Sequence, residues 1–104
     1  MKFKFPYNGY HSEDLIRQCG YGRIFNSRTE EISYQRALGA SGYPRFHAYL
    51  EDHDDYFEVS LHLDQSKAVY EGMTAHAGDY DSEVVVEEAQ RITATIARIF
   101  GVEI

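Results

Sequence analysis

Histidine, arginine and aspartate side chains alternate with apolar residues in two neighbouring segments of this 104-residue chain. Segment 45–50 reads Arg-Phe-His-Ala-Tyr-Leu, and segment 57–64 reads Phe-Glu-Val-Ser-Leu-His-Leu-Asp. Imidazoles exchange protons near neutral pH and bind metal ions, whereas a guanidinium binds phosphate or carboxylate groups. The candidate functional residues are therefore the polar positions of both segments: Arg45, His47, Tyr49, Glu58, Ser60, His62 and Asp64.

A metal site is the first interpretation of these residues. His62 and Asp64 are candidate ligands, and His47 would complete a set of two imidazoles and one carboxylate. His76, further along the chain, is the candidate fourth ligand. The implied cofactor is a divalent metal ion. Arg45 argues against this interpretation, because its positive charge repels a cation.

Binding of a small anion, combined with acid–base chemistry, is the second interpretation. Arg45 would hold a phosphate or carboxylate group, while His47 and His62 would act as catalytic acid and base. Together the two interpretations predict a small ligand- or metal-binding domain, with hydrolysis as the reaction that such a site would support.

Two further interpretations need neither a metal nor a small ligand. Tyr49 and Arg45 could anchor a protein or a single-stranded nucleic acid, and the nine tyrosines favour a non-catalytic interaction or self-association module, such as a homodimer. The simplest interpretation is a solvated sheet face, because antiparallel sheets commonly expose one polar face to water. The sequence leaves these alternatives open.

The alternation in the two segments predicts a β-hairpin that brings the candidate residues together. The linking residues 52–55, Asp-His-Asp-Asp, are typical of a turn. The apolar residues of both strands must share one face, which requires a loop with an even number of residues. With a two-residue turn at His53–Asp54, the predicted pairs are Leu50 with Phe57, Ala48 with Val59, Phe46 with Leu61, and His47 with Ser60.

The rest of the pattern predicts an α+β fold, with an antiparallel sheet of four to five strands and both a long C-terminal helix and a short N-terminal helix packed on one face. Alternation predicts strands at residues 2–5 and 22–27. Residues 31–38 match either a strand or a helix, and we favour a strand. Apolar residues at spacings of three and four predict a helix near 82–100. One domain, 1–104, is expected from the length.

Between the hairpin and the last helix lies a long connection, residues 66–81, which contains His76. Connections of this length are often functional. A short strand around Ala68–Tyr70 would shorten it. Near the other end of the chain, Ser12 is the predicted cap of the short N-terminal helix.

Charge and composition narrow the classes of function. The net charge of −7 argues against general nucleic-acid binding, although residues 1–50 carry a balance of +3 and residues 51–104 a balance of −10. No apolar run is long enough to span a membrane, and the first residues lack the apolar stretch of a signal peptide. The single cysteine, Cys19, allows no internal disulfide. We therefore expect a cytoplasmic protein without a membrane partner.

Three short stretches also carry a resemblance. They are Tyr43-Pro44-Arg45-Phe46-His47, His62-Leu63-Asp64-Gln65, and the segment 76–81, His-Ala-Gly-Asp-Tyr-Asp. Over the C-terminal 60 residues or so, the chain resembles a family of small bacterial proteins of uncharacterised function. This resemblance implies no activity, but it involves the same segments that the residue patterns single out, the hairpin and the connection that contains His76.

Overall fold

The computed structural model describes residues 1–65, 78–79 and 82–102. They form the expected α+β fold, with an antiparallel sheet, a short helix and a long C-terminal helix. The strands are β1 (Lys2–Pro6), β2 (Gly22–Asn26), β3 (Glu31–Ala37), β4 (Arg45–Asp52), β5 (Tyr56–Asp64) and the two-residue β6 (Gly78–Asp79); the helices are α1 (Ser12–Gln18) and α2 (Glu83–Phe100).

The order of the five main strands across the sheet is β1-β5-β4-β3-β2, and every neighbouring pair is antiparallel. β4 and β5 therefore have a strand on each side. β6 pairs with β5 at Leu63 and Asp64, on the side of β5 that also carries β1. The ambiguous segment 31–38 contains a strand, β3, as we favoured.

The hairpin of β4 and β5 has the predicted faces but a different register. His47 pairs with His62, two residues further along β5 than predicted. The amide of His53 donates to the carbonyl of Tyr56 at 2.9 Å, which leaves Asp54–Asp55 as the turn. A shift of two residues keeps every side chain on its face, so hydrophobic alternation cannot distinguish the registers. The observed apolar pairs are Leu50 with Val59, Ala48 with Leu61, and Phe46 with Leu63.

Stacking and hydrogen bonding at the end of the hairpin favour the observed register. The rings of His53 and Tyr56 stack with centroids 4.5 Å apart. The hydroxyl of Tyr7 donates to the carbonyl of His53 at 2.7 Å. In this register His53 lies outside the two-residue turn, and both contacts involve residues that the alternating pattern does not include.

Both helices pack on the same face of the sheet, and the core lies between them and the strands. The apolar stripe of α2 is the one that its spacing predicts, and Ser82 caps this helix by accepting from the amide of Val85 at 3.4 Å. Burial of apolar side chains is the main stabilising contribution to such a fold. The core comprises Phe5, Leu15, Ile16, Cys19, Tyr21, Tyr34, Phe46, Ala48, Phe57, Val59, Leu61, Leu63, Val85, Ala89, Ile92 and Ile96.

Ser12 does not cap α1, contrary to the prediction. The helix begins at Ser12 itself, with His11 in the cap position and no side-chain cap bond. The hydroxyl of Ser12 donates instead to Asp52 Oδ1 at 2.7 Å, at the end of β4. A capping hydroxyl accepts from backbone N–H groups from the position before the helix, whereas Ser12 lies within the first turn and its hydroxyl donates to a carboxylate, a strong acceptor.

Two further expectations concern the connection after β5 and a membrane-spanning helix. The strand predicted around Ala68–Tyr70 lies outside the described residues. Neither α1 nor α2 combines the length and the apolar character that crossing a bilayer requires.

One carboxylate is buried on the helix side of the sheet. Glu88 of α2 is 3% exposed, and it accepts hydrogen bonds from Arg36 of β3, from Arg91 and from the Tyr21 hydroxyl. Burial alone would raise the pKa of Glu88, but these hydrogen bonds outweigh burial and lower its pKa to about 2. This ion cluster therefore links α2 to β3 within the otherwise apolar interface between the helix and the sheet.

Candidate metal centre

His47 and His62 face each other across the two strands of the hairpin, on the side of the sheet away from the helices. Alternation along β4 directs Phe46 and Ala48 into the core and His47 to the opposite face. The ring centroids of the two histidines are 4.9 Å apart. Directly opposed residues of an antiparallel pair are the closest cross-strand neighbours that a sheet offers, so the register places both imidazoles at one site.

Asp64 connects the two histidines. Its Oδ1 lies 3.0 Å from His62 Nε2, and its Oδ2 lies 3.4 Å from His47 Nδ1. The guanidinium of Arg45, directly opposite Asp64 on β4, donates through Nε to Oδ2 at 3.4 Å. Only 13% of each histidine side chain and 19% of the Asp64 side chain are exposed. The cluster is therefore partly desolvated although it lies on the side of the sheet away from the helices.

Strand β3 supplies a second layer of polar contacts. The hydroxyl of Ser33 lies 2.7 Å from His47 Nε2. Gln35 accepts a hydrogen bond from Arg45 Nη1, and the Arg45 guanidinium also lies 4.7 Å from the centre of the Tyr43 ring. Ser33 is 7% exposed. These neighbours fix the orientation of His47 and Arg45 from the side opposite β5.

The environment of His47 favours the neutral imidazole. Burial lowers the pKa of His47 from its ordinary value, and the charges of His62 and Arg45 lower it further. Asp64 acts in the opposite direction, but the net change is a decrease. A neutral imidazole is the form that binds a metal ion, because a protonated ring has no free lone pair.

The three groups lie at distances that one metal ion could bridge. One nitrogen from each histidine and one oxygen of Asp64 all lie within 4.8 Å of one another. Ligands about 2.0–2.1 Å from a tetrahedral ion are separated by roughly 3.3 Å. Each histidine nitrogen has one Asp64 oxygen near this separation, Oδ1 at 3.0 Å from His62 Nε2 and Oδ2 at 3.4 Å from His47 Nδ1. The chemistry of the set, two nitrogens and one oxygen, suits zinc and related transition metals.

Most of the predicted site residues come together. The structure groups Arg45, His47, His62 and Asp64, and the Tyr49 ring lies next to His47, with centroids 4.8 Å apart. His76, the predicted fourth ligand, lies outside the described residues. Two other predicted polar positions, Glu58 and Ser60, share this face of β5 and pair across the hairpin with Glu51 and Tyr49 respectively.

Sequence reasoning missed Ser33 and Gln35. Both lie on β3, in the segment that matched either a strand or a helix and for which we favoured a strand. Their polar positions alternate with the buried Tyr34, which is the signal that could have placed them on the open face. The order along the chain was a second signal, because consecutive strands are usually neighbours in a sheet.

No protein-family model, curated protein or solved structure matches this chain. The resemblance noted from the sequence therefore stays a prediction, and the function must be inferred from the cluster itself.

Proposed function

We propose that this protein binds a divalent transition-metal ion, of which zinc is the best candidate, through His47, His62 and Asp64. The observation that carries the proposal is the approach of two imidazole nitrogens and one carboxylate to within 4.8 Å on adjacent strands. The ligand atoms would be Nδ1 of His47, Nε2 of His62 and the carboxylate of Asp64, because Nε2 of His47 faces Ser33.

Ser33 supports this assignment because a hydroxyl can either donate or accept a hydrogen bond. With a metal on Nδ1 of His47, the ring carries its proton on Nε2 and donates it to Ser33. Without a metal, Nδ1–H donates to the Asp64 carboxylate, the stronger acceptor, and the Ser33 hydroxyl donates to Nε2. Such an outer partner is what metal-binding histidines generally have.

Three protein ligands would leave a coordination position for water. Zinc centres of this kind lower the pKa of bound water to about 7, which is the basis of their hydrolytic chemistry. Hydrolysis is therefore the reaction class that we propose for the site. Arg45 weakens the attraction for a cation, but the Asp64 carboxylate lies between Arg45 and His62 and offsets that charge.

Calorimetric titration of the metal-free protein with Zn²⁺ tests the proposal. We expect one ion per chain. His47→Ala, His62→Ala and Asp64→Asn should each lower the affinity by more than the roughly 10- to 100-fold that loss of an outer partner costs. His11→Ala is the matched control, because His11 is exposed and belongs to the start of α1.

Absence of zinc binding by the wild-type protein, or an equal loss in His11→Ala, would contradict the proposal. Sedimentation of the same samples tests the alternative sequence interpretation, an interaction module. Self-association without any response to zinc would favour that module over a metal site.

A further inference from the structure

The charge balance of the cluster points to an anion as the second ligand of the site. An ion held by two neutral imidazoles and Asp64, next to Arg45, would leave a local charge of about +2. The side chains involved are only 13–23% exposed. Uncompensated charge is unfavourable where side chains are partly desolvated, so a site loaded with metal would attract a compensating anion.

Arg45 has donors that could contact such an anion. Its Nε donates to Asp64 and its Nη1 to Gln35, while the face of the guanidinium lies over the Tyr43 ring. Arginine has five N–H donors, and within the described residues no bond involves Nη2. The position of Arg45 is fixed from three sides, so it presents those donors beside Asp64 in a set orientation.

Lys2 adds a second positive charge near the histidines. Lys2 of β1 pairs with Ser60, which precedes His62 by two residues on the same face of β5. Along the strands, the two histidines therefore lie between Arg45 on one side and Lys2, with its cross-strand partner Ser60, on the other. The next row on this face, Lys4, Glu58 and Glu51, carries a net charge of −1, so the positive charges nearest the histidines are those of Arg45 and Lys2.

We propose that the site binds a phosphate group, free or as a monoester, through the metal ion and Arg45 together; this rests on the proposed metal site. A phosphate group is close to dianionic at neutral pH and would neutralise the local charge of about +2, whereas a carboxylate would neutralise only half of it. Arginine and a metal ion are also the groups that commonly hold phosphate oxygens together.

The test titrates the zinc-loaded protein with inorganic phosphate, with phenyl phosphate and with acetate. We expect both phosphates to bind at least tenfold more tightly than acetate. Arg45→Gln should weaken both phosphates by about 10- to 100-fold, as expected for loss of hydrogen bonds between charged groups. By linkage, phosphate should raise the affinity for zinc by the same factor as zinc raises the affinity for phosphate.

Arg23→Gln is the matched control, because Arg23 lies on β2 opposite Tyr34, on the helix side of the sheet. The Arg45→Gln variant should also bind zinc several-fold more tightly, since a repelling charge is removed. If this variant does not fold, Arg45→Lys keeps the charge but loses the planar fork, and it should weaken phosphate binding as well.

The outcomes separate the two proposals. Equal phosphate affinity in the wild type and in Arg45→Gln, or no preference over acetate, would overturn the phosphate site while leaving the metal site standing. A protein that binds no zinc would overturn both. Binding of inorganic phosphate but not phenyl phosphate would support a site for the free ion, and tighter binding of phenyl phosphate would support a monoester.

Discussion

The Ser33 hydroxyl lies 2.7 Å from Nε2 of His47, on the edge of the ring opposite the nitrogen that faces Asp64. Ser33 belongs to β3 and is buried, so its position is fixed by the sheet rather than by its own rotamer freedom. This contact determines which nitrogen of His47 is directed at the proposed metal ion.

Ser33→Ala is therefore expected to weaken zinc binding by about 10- to 100-fold, the usual effect of removing an outer partner of a metal ligand. The metal-free variant should lose only about 1 kcal/mol of stability, the net contribution of one hydrogen bond. Calorimetry and thermal unfolding measure the two quantities. Ser60→Ala, on the same face of β5, is the control and should keep the wild-type affinity. Equal zinc affinities in Ser33→Ala and in wild type would show that Ser33 does not orient His47.

Glu88→Gln should destabilise the fold by roughly 3 kcal/mol, because it removes the negative partner of two arginines inside the α2 contact. In a domain of this size that loss lowers the unfolding midpoint by about 15 °C. Glu87→Gln is the matched control, since Glu87 is the adjacent, exposed residue of α2. Equal midpoints for both variants would contradict the role given to the Glu88 cluster.

The lowered pKa of Glu88 should make the stability of the fold depend on pH. The folded-state pKa of Glu88 is about 2, below the roughly 4.3 of an unfolded glutamate. The unfolded state binds the proton more tightly, so the stabilisation is complete above about pH 4.5 and is lost as the pH falls toward 2. Denaturant unfolding at several pH values should show the difference between wild type and Glu88→Gln shrinking over this interval. A stability difference between the two proteins that stays constant down to pH 2 would argue against the lowered pKa of Glu88.

Cys19 should react slowly with thiol reagents in the folded protein. It is 2% exposed, and burial raises the pKa of its thiol to about 11. Since the thiolate is the reactive form, labelling at pH 8 should be at least about 100-fold slower than in denaturant, where the thiol has its ordinary pKa. Labelling of the folded protein at the rate of a free thiol would show that the α1 contact opens readily.

Much of the fold was predictable because it depends on periodic patterns. The stripe of α2 and the alternation of β4 and β5 each specify one buried face, and the structure confirms these faces. The register of the hairpin was not predictable, because a shift of two residues satisfies the same pattern. The observed register is accompanied by contacts of His53 with Tyr56 and Tyr7, which lie outside the alternating pattern.

The candidate site was predictable in its residues but not in its geometry. Alternation identified Arg45, His47, His62 and Asp64 as members of one polar face. The observed register brings His47 opposite His62 rather than Ser60, and Arg45 opposite Asp64. Ser33 was not included, since alternation does not specify the register between β3 and β4 that places it beside His47. Glu88 was missed for a similar reason, because its partner Arg36 comes from a distant strand.

Imidazole ¹⁵N NMR of the protein, before and after one equivalent of Zn²⁺, tests the central claim most directly. We predict that His47 carries its proton on Nδ1 without metal and on Nε2 with metal. We also predict that Nδ1 of His47 and Nε2 of His62 shift together as ligands, while His11 and His53 do not change. A spectrum in which His47 and His62 are unaffected by zinc, or in which only the exposed histidines respond, would contradict the account.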